Sequence, residues 1–223
     1  DLDAAQRCFI ENEAAAKAHD SPSFRMRSLN NLALIQLTRG RLADARGLLT
    51  RVAQLASGHG LSLHRAIALE NLGVVCRLEG RYAEAIANYQ AALRVLKPFE
   101  DRGLLVRIAG NLAECFATLG DAPRARGMLE LLSGQDDDGR RERLIERLTI
   151  EAQVSELEGD RDGARRLCEE ALDGAARSGY RRSLVLVTLR LARYAAEAGD
   201  REGAERWLDG LEVDSERNRS RLA

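Results

Sequence analysis

The stretch NLGVVCRLEGRYAEAIANYQAAL, residues 71–93, decides the fold because a single glycine separates two helical patterns. On both sides of Gly80, apolar residues recur at intervals of three and four, which is the spacing of an amphipathic helix. Glycine closes a helix C-terminus at little steric cost because it can adopt the left-handed conformation. The stretch therefore predicts a helix, a tight turn at Gly80 and a second helix.

The same arrangement recurs along the chain at intervals of 39 or 40 residues. Each turn glycine is followed by Arg or Asp and, five residues further on, by an alanine; the five glycines are Gly40, Gly80, Gly120, Gly159 and Gly199. In four of the five units a Leu-Ala or Leu-Gly pair comes seven or eight residues before the glycine. A fixed period of this kind is typical of stacked repeats, in which no unit buries its apolar face alone. We call the helix before each glycine the first helix of its unit, and the helix after it the second.

Composition and charge exclude several classes of partner. The 223 residues carry a net charge of −1, which gives no reason to expect nucleic acid or an anionic membrane surface. No apolar run approaches the roughly 20 residues of a membrane span, and no leader is visible. Four widely spaced cysteines predict neither a disulfide framework nor a zinc site, so a reducing, cytoplasmic compartment is expected. Every basic residue except Lys17 and Lys97 is arginine, which favours a GC-rich bacterial genome.

Side chains that could carry catalysis or bind a metal form no recognisable motif. His19, His59 and His64 fall in or near predicted junctions and have no carboxylate at ligand spacing. The segment GQDDDGRRER, residues 134–143, lies between units and lacks the alternating ligands of a calcium loop, so a solvated loop is expected. The cysteines fall on predicted packing positions of the hairpins. We therefore expect no enzyme, no metal and no cofactor.

Residues 71–93 resemble the tetratricopeptide repeat nearly residue for residue. The matching positions are Leu72, Gly73, Gly80, Tyr82, Ala85, Tyr89 and Ala92. The resemblance covers almost the whole chain and is weakest in the fourth unit. Two features depart from the family: the period exceeds the usual length of about 34 residues, and the aromatic residue at the start of the first helix is absent. Longer repeats of this kind resemble those of bacterial signalling and transcription regulators.

This resemblance implies an all-α fold, a right-handed superhelical solenoid of antiparallel helix hairpins. We expect a single solenoid over residues 1–223, with five repeats at 24–57, 61–97, 100–133, 139–177 and 180–211. An orphan second helix would occupy residues 1–20, and residues 212–223 would form a cap or linker. Because the chain begins in the middle of a unit, we expect a fragment of a longer protein.

The resemblance also implies that the first helices line a concave groove. Residues spaced four, three and four along a helix share a face, which gives the candidate groove residues Arg27, Asn31, Leu34, Ile67, Asn71, Val74, Leu78, Arg107, Asn111 and Glu114. The resemblance implies that Asn31, Asn71 and Asn111 hold the backbone of an extended peptide, whose C=O and N–H a primary amide can pair with together. A helix-to-helix hydrogen bond is the alternative role for these asparagines.

The sequence thus predicts a non-catalytic scaffold or sensory module of a larger bacterial signalling protein, which binds a protein or peptide segment in the groove. Two alternatives stay open: a ligand-gated regulatory region of a transcription activator, and a self-association module that would form a homo-oligomer. Nucleic acid is not expected as a partner, because the arginines near the fourth unit alternate with acidic residues and lack stacking aromatics.

Overall fold

The computed structural model of the protein describes residues 1–96, 101–132, 141–178 and 181–219. Within these ranges the chain is all-α, as predicted, and forms no strand. The eleven described helices are α1 Leu2–Ala18, α2 Pro22–Thr38, α3 Leu42–Gly58, α4 Ser62–Leu78, α5 Tyr82–Leu96, α6 Arg102–Thr118, α7 Ala122–Leu132, α8 Arg141–Leu157, α9 Arg161–Ser178, α10 Arg181–Glu197 and α11 Arg201–Arg219. Of the loop expected at 134–143, residues 134–140 lie outside the described residues, as do the last four residues of the predicted cap or linker. The expectation of a loop was wrong for residues 141–143, which form the start of α8.

The five predicted turn glycines all adopt the left-handed conformation, with φ between 72° and 89°. At the second turn, the N–H of Arg81 donates to the carbonyl of Cys76 at 2.8 Å and the N–H of Gly80 donates to the carbonyl of Arg77 at 3.0 Å. This pair of bonds is the Schellman closure, which satisfies carbonyls at a helix end. The glycines therefore end the first helices, as their spacing predicts.

The same closure also ends two second helices, which the sequence analysis did not expect. Gly60, with φ 66°, follows α3, and Asp20, with φ 46°, follows α1. The N–H of Leu61 donates to the carbonyl of Ala56 at 2.9 Å. Aspartate is one of the few non-glycine residues that visit this conformation routinely. Turns within a unit and the first two junctions between units thus share one backbone geometry.

Three aspartates that follow turn glycines cap the second helices they precede. Their Oδ1 atoms accept backbone N–H groups three residues further on, Asp121 from Arg124 at 3.1 Å, Asp160 from Gly163 at 2.8 Å and Asp200 from Gly203 at 2.8 Å. Such a bond satisfies one of the N–H groups that a helix start leaves unpaired. Arg41, at the same place before α3, makes no side-chain cap.

The chain also divides into two compact halves, which we call the N-terminal half, Asp1–Cys115, and the C-terminal half, Phe116–Ala223. The core of the N-terminal half contains two buried clusters, Met26, Leu29, Val52, Ala56 and Ala68, and Ala33, Ala45, Leu49 and Val75. The core of the C-terminal half contains Ile145, Leu148, Ala152, Cys168, Ala171, Ala175, Val187 and Leu191. Of the five alanines that follow the turn glycines, Ala45, Ala85, Ala125 and Ala164 are fully buried, and Ala204 is half-buried. Small side chains there let the paired helices approach closely.

One hairpin contains an especially close approach. The buried ring of Tyr89 on α5 lies against Gly73 on α4, and a Cβ on residue 73 would come within 2.7 Å of ring atom Cδ1. Alanine stands at the position of Gly73 in other units, where the facing residue is smaller than tyrosine; Ala33 faces Leu49, and Ala152 faces Cys168. The second unit therefore exchanges a methyl group on one helix for an aromatic ring on the other.

Three of the four cysteines occupy packing positions, as expected, and the fourth does not. Cys76, Cys115 and Cys168 are buried, whereas Cys8 on α1 is exposed. The counterpart of Cys8 in the next repeat is Leu48, which packs against both core clusters of the N-terminal half. The expectation was therefore wrong for Cys8.

Candidate functional site

The ten candidate groove residues all lie on α2, α4 and α6 in the N-terminal half, and we call them the first-helix face. These helices lie side by side. Asn71 on α4 contacts Asn30 on α2, and Arg107 on α6 contacts Glu70 on α4. The first-helix face is therefore continuous over residues 27–114 and belongs to the N-terminal half alone.

The first-helix face combines exposed apolar side chains with exposed cations. Leu34 is 40% exposed and Leu78 is 45% exposed, and Ile67 and Val74 are half-buried. The guanidinium groups of Arg27 and Arg107 belong to exposed residues. Large apolar residues exposed beside charges are the composition expected of a surface that contacts another molecule.

The three asparagines of the face differ in their surroundings. Asn71 is nearly buried, and its Nδ2 donates to Oδ1 of Asn30 at 2.8 Å. Nδ2 of Asn111 donates to Oε1 of Glu70 at 3.3 Å, and half-buried Asn31 borders a cavity. Two of the amides thus form the helix-to-helix bonds of the alternative interpretation. A primary amide has two N–H groups and a carbonyl oxygen, so one bond does not use its full capacity; the peptide-binding role stays a prediction.

Glu70 is a polar centre of the site that the sequence analysis missed. Its side chain is buried on α4, and Oε2 accepts from Nη2 of Arg107 at 3.0 Å while Oε1 accepts from Asn111. Burial raises the pKa of the Glu70 carboxyl, and the neighbouring Arg107 guanidinium offsets part of that rise. A glutamate one position before the asparagine was the available signal. Glu70 joins α4 to α6 through its hydrogen bonds with Arg107 and Asn111.

A second ion pair joins the same helices at the other end of the face. Nη1 of Arg77 on α4 donates to Oε1 of Glu114 on α6 at 2.8 Å. Glu114 is half-buried, so part of its carboxylate is already occupied within the protein. The face thus presents Arg107 and Arg27 to solvent more openly than it presents Glu114.

A cavity of about 550 Å³ lies between α1 and α2, at the edge of the first-helix face. Its walls include Phe9, Asn12 and Ala15 from α1, and Phe24, Arg27 and Asn31 from α2. The guanidinium carbon of Arg27 lies 5.7 Å from the centre of the Phe24 ring. Nothing in the sequence pattern of the candidate groove residues indicated a cavity here. The cavity combines aromatic walls with a cation and two amides.

The C-terminal half carries different side chains at the equivalent positions of its first helices. Ile150 is buried, and Arg190 donates to the backbone carbonyl of Thr149 at 3.3 Å. Glu156 accepts from the hydroxyl of Tyr194 at 2.9 Å and from Arg193 at 2.5 Å. The row of asparagines therefore stops after α6, as the sequence indicates.

Other classes of site find no support in the part of the chain that the structure describes. No group of three or more His, Cys, Asp or Glu side chains there is arranged to hold a metal ion. None of the helices, over their described residues, is both long enough and apolar enough to cross a bilayer. His64 lies with Nε2 at 3.1 Å from Oγ of Ser23, and burial together with the charge of Arg27 lowers the pKa of its imidazole.

Many solved structures have similar folds, and three examples of low sequence identity follow. BtubC (BKLC) from P. vanneervenii has a TM-score of 0.70 and 21% identity over 97% of this chain and 91% of that one. The apo form of RapI has a TM-score of 0.71 and 13% identity over 99% of this chain and 58% of that one. Aspartyl phosphate phosphatase F from Bacillus subtilis has a TM-score of 0.63 and 14% identity over 95% of this chain and 60% of that one. At these identities the likeness concerns the fold alone.

Family models match the sequence itself, although no curated protein does. Residues 64–131 match one model described as a tetratricopeptide repeat, and residues 26–51 and 185–209 match another with the same description. Together the matched segments span more than half of the chain. The matches include the glycine turn of the second unit and first-helix residues on α2, α4, α6 and α10. The chain belongs to the tetratricopeptide-repeat family.

Proposed function

We propose that this chain is a non-catalytic scaffold or sensory module of a larger bacterial signalling protein, and that its first-helix face binds a segment of a partner protein. The observation that carries the proposal is the exposure of Leu34 and Leu78 on neighbouring helices, on a face that also carries exposed Arg27 and Arg107. Membership of the tetratricopeptide-repeat family supports a role in binding proteins. A cytoplasmic location fits four cysteines that are all free thiols.

The energies assign different tasks to the different side chains. Burying an exposed leucine contributes about 1.5–3 kcal/mol, whereas one net hydrogen bond to a peptide contributes about 0.5–1.5 kcal/mol. Ordering a flexible partner segment costs about 2–5 kcal/mol. Leu34 and Leu78 therefore supply most of the affinity, and the remaining donors of Asn31, Asn71 and Asn111 fix the position of the partner backbone.

The charges of the face select the partner. Arg27 and Arg107 are exposed and lie on α2 and α6, on either side of α4. A segment with acidic and apolar side chains would complement them, and charge complementarity mainly raises specificity and the association rate. Binding of such a segment should weaken at high salt because exposed charges are screened.

The proposal is tested by selecting peptides from a random displayed library on the full chain and measuring their affinity by fluorescence anisotropy. Selected peptides should be rich in apolar and acidic residues, and Leu34→Ala with Leu78→Ala should weaken them at least about tenfold. Leu131→Ala is the matched control, because Leu131 is equally exposed but lies on α7. Unchanged affinities in the double variant, with helix content retained by circular dichroism, would contradict the proposal.

Self-association is a second candidate that one observation favours. Val185 on α10 is 39% exposed, although its counterpart one unit earlier, Ile145, is 1% exposed. Leu189 on α10 and Leu208 on α11 are exposed as well, and Cys168, the counterpart of Leu208, is buried. These exposed apolar side chains on α10 and α11 can pack on a second copy. Light scattering over a concentration series should then show a dimer that Leu189→Glu dissociates, and a constant monomer mass would exclude this candidate.

A further inference from the structure

One hydrogen bond recurs between first helices of neighbouring repeats. Its donor is the side chain nine residues before a turn glycine, and its acceptor lies ten residues before the turn glycine of the preceding repeat. Among the described residues, three bonds follow this pattern: Asn71 to the side chain of Asn30 at 2.8 Å, Asn111 to the side chain of Glu70 at 3.3 Å, and Arg190 to the backbone carbonyl of Thr149 at 3.3 Å. A neutral oxygen is therefore a sufficient acceptor for this bond.

Glu70 carries a charge that this bond does not require. Asn30, at the same position of α2, accepts the equivalent bond with an amide oxygen. Glu70 is 4% exposed, and a carboxylate buried to this extent destabilises the fold unless it is paired. Its partner is Arg107, whose Nη2 donates to Oε2 at 3.0 Å. The contact with Arg107 is therefore what distinguishes the carboxylate of Glu70 from the amide of Asn30.

Arg107 and Asn111 are held by one carboxylate and keep unused donors. They lie four positions apart on α6 and so share a face of that helix. A guanidinium has five N–H groups, and the bond to Glu70 is the one hydrogen bond of Arg107 within the described ranges. The side chain of Arg107 is 48% exposed, and Asn111 is half-buried. A buried carboxylate thus orders two side chains that still have N–H groups for another molecule.

We propose that Glu70 is a positioning residue of the first-helix face: its carboxylate fixes Arg107 and Asn111 in the arrangement that binds an acidic side chain of the partner segment. This inference rests on the proposed function. A long, exposed arginine loses conformational entropy when it binds a partner, and a contact that has already ordered the side chain removes part of that loss. Glu70 therefore raises the affinity through Arg107 and Asn111, although the carboxylate itself is buried.

The charge of Glu70 by itself would have the opposite effect on an acidic partner. A carboxylate beside Arg107 repels a second carboxylate that approaches the same guanidinium. Loss of that charge would strengthen binding, whereas loss of positioning would weaken it. Because Arg107 is exposed, water screens the repulsion, and we expect the loss of positioning to dominate. The sign of the change in affinity therefore distinguishes the two effects.

The test measures the affinity of two fluorescent peptides for the full chain by anisotropy. One is the tightest peptide from the displayed library that contains Asp or Glu, and the other is its copy with Asn and Gln in place of every Asp and Glu. Glu70→Gln should weaken the acidic peptide at least about fivefold and should change the neutral copy by less than about twofold. Glu84→Gln is the control, because it removes the same charge from an exposed position on α5 and should change neither affinity.

Two further variants show whether Glu70 acts through Arg107. Arg107→Gln should weaken the acidic peptide, and Glu70→Gln combined with Arg107→Gln should weaken it little more than Arg107→Gln alone. Glu70→Asp keeps the charge but draws the carboxylate back by one methylene group, so it should weaken the acidic peptide as Glu70→Gln does. Thermal denaturation followed by circular dichroism confirms that each variant is folded at the temperature of the titration.

Three results would overturn the proposal. They are an acidic peptide that Glu70→Gln binds equally or more tightly, equal weakening of the acidic peptide and its neutral copy, and losses at Glu70 and Arg107 that simply add. Leu34→Ala with Leu78→Ala keeps this test distinct from that of the proposed function. If that double variant weakens the acidic peptide and Glu70→Gln does not, the face binds its partner without help from Glu70. Selected peptides that are apolar but lack Asp and Glu would overturn the inference and leave the role of the two leucines standing.

Discussion

The ring of Tyr89 lies against the backbone of Gly73 and leaves no room for a Cβ at that position. Tyrosine occurs here because glycine faces it, since any Cβ at position 73 would lie within 2.7 Å of the ring. The units in which alanine takes the glycine position place leucine or cysteine opposite. The two positions therefore behave as one packing unit rather than as two independent residues.

Gly73→Ala should lower the free energy of unfolding by about 1–3 kcal/mol, because a fully buried ring has no room to move away from the added methyl group. Urea denaturation followed by circular dichroism measures the effect. Gly110→Ala on α6 is the matched control, and since its Cβ would meet no atom within 4 Å, it should raise stability by about 0.5–1 kcal/mol.

The double substitution Gly73→Ala with Tyr89→Leu should recover much of that loss, because it recreates the pair formed by Ala33 and Leu49. The energies of the two single substitutions should then fail to add. Additive losses would show that the ring and the glycine do not share one packing space.

Gly80→Ala should destabilise the protein by about 1–2 kcal/mol, because residue 80 has φ 74° and a Cβ disfavours the left-handed conformation. Thermal denaturation of Gly80→Ala and of the control Gly47→Ala gives the comparison. Gly47 is an exposed helical position on α3 where a Cβ meets nothing, so its substitution should not destabilise. Equal effects at the two glycines would count against the role of Gly80 as a helix terminator.

Arg41→Asp should stabilise the protein by about 0.5–1 kcal/mol, because Arg41 precedes α3 without a side-chain cap, whereas Asp160 and Asp200 cap their helices. Asp160→Ala should show the opposite sign with a similar magnitude. Arg41→Ala separates the cap from the removal of the cation. If Arg41→Asp gives no more stability than Arg41→Ala, the cap contributes nothing at this turn.

Glu70 should make stability depend on pH in the direction opposite to most carboxylates. Its folded pKa is raised above 4.5 by burial, so the folded state holds the proton more tightly than the unfolded state. As pH falls from above that raised pKa to about 4.5, the wild-type chain should gain stability relative to Glu70→Gln. Below that window the difference should become constant. Urea midpoints of both chains at several pH values measure it, and a wild-type chain that loses stability relative to Glu70→Gln on acidification would contradict the assignment.

The sequence predicts the hairpins well because their signals are local. Gly40 and Gly80 each follow a helical pattern directly, and the constant interval repeats the evidence along the chain. The closure at Asp20 was not predictable in the same way, since a lone aspartate in a polar junction favours several turn types. The small residues of the alanine row could be assigned to helix contacts because small side chains have few other reasons to recur.

The candidate site depends more on contacts between units. The contact of Glu70 with Arg107 and Asn111 requires knowledge of which sides of α4 and α6 meet, and the period alone does not give it. Cys8 was assigned to a packing position from the sequence pattern, but it is exposed, whereas its counterpart Leu48 packs against the core.

Because three of the four thiols are buried, the folded chain exposes a single thiol for chemical labelling. Burial raises the pKa of Cys115 and of Cys168 to about 11, so both remain protonated near neutral pH, and Cys76 is also enclosed. Cys8 is the exposed thiol, and it lies on α1 one position before Phe9 of the cavity wall. A maleimide dye should therefore modify the folded protein at α1 first, and its emission would report what approaches that helix without any engineered residue.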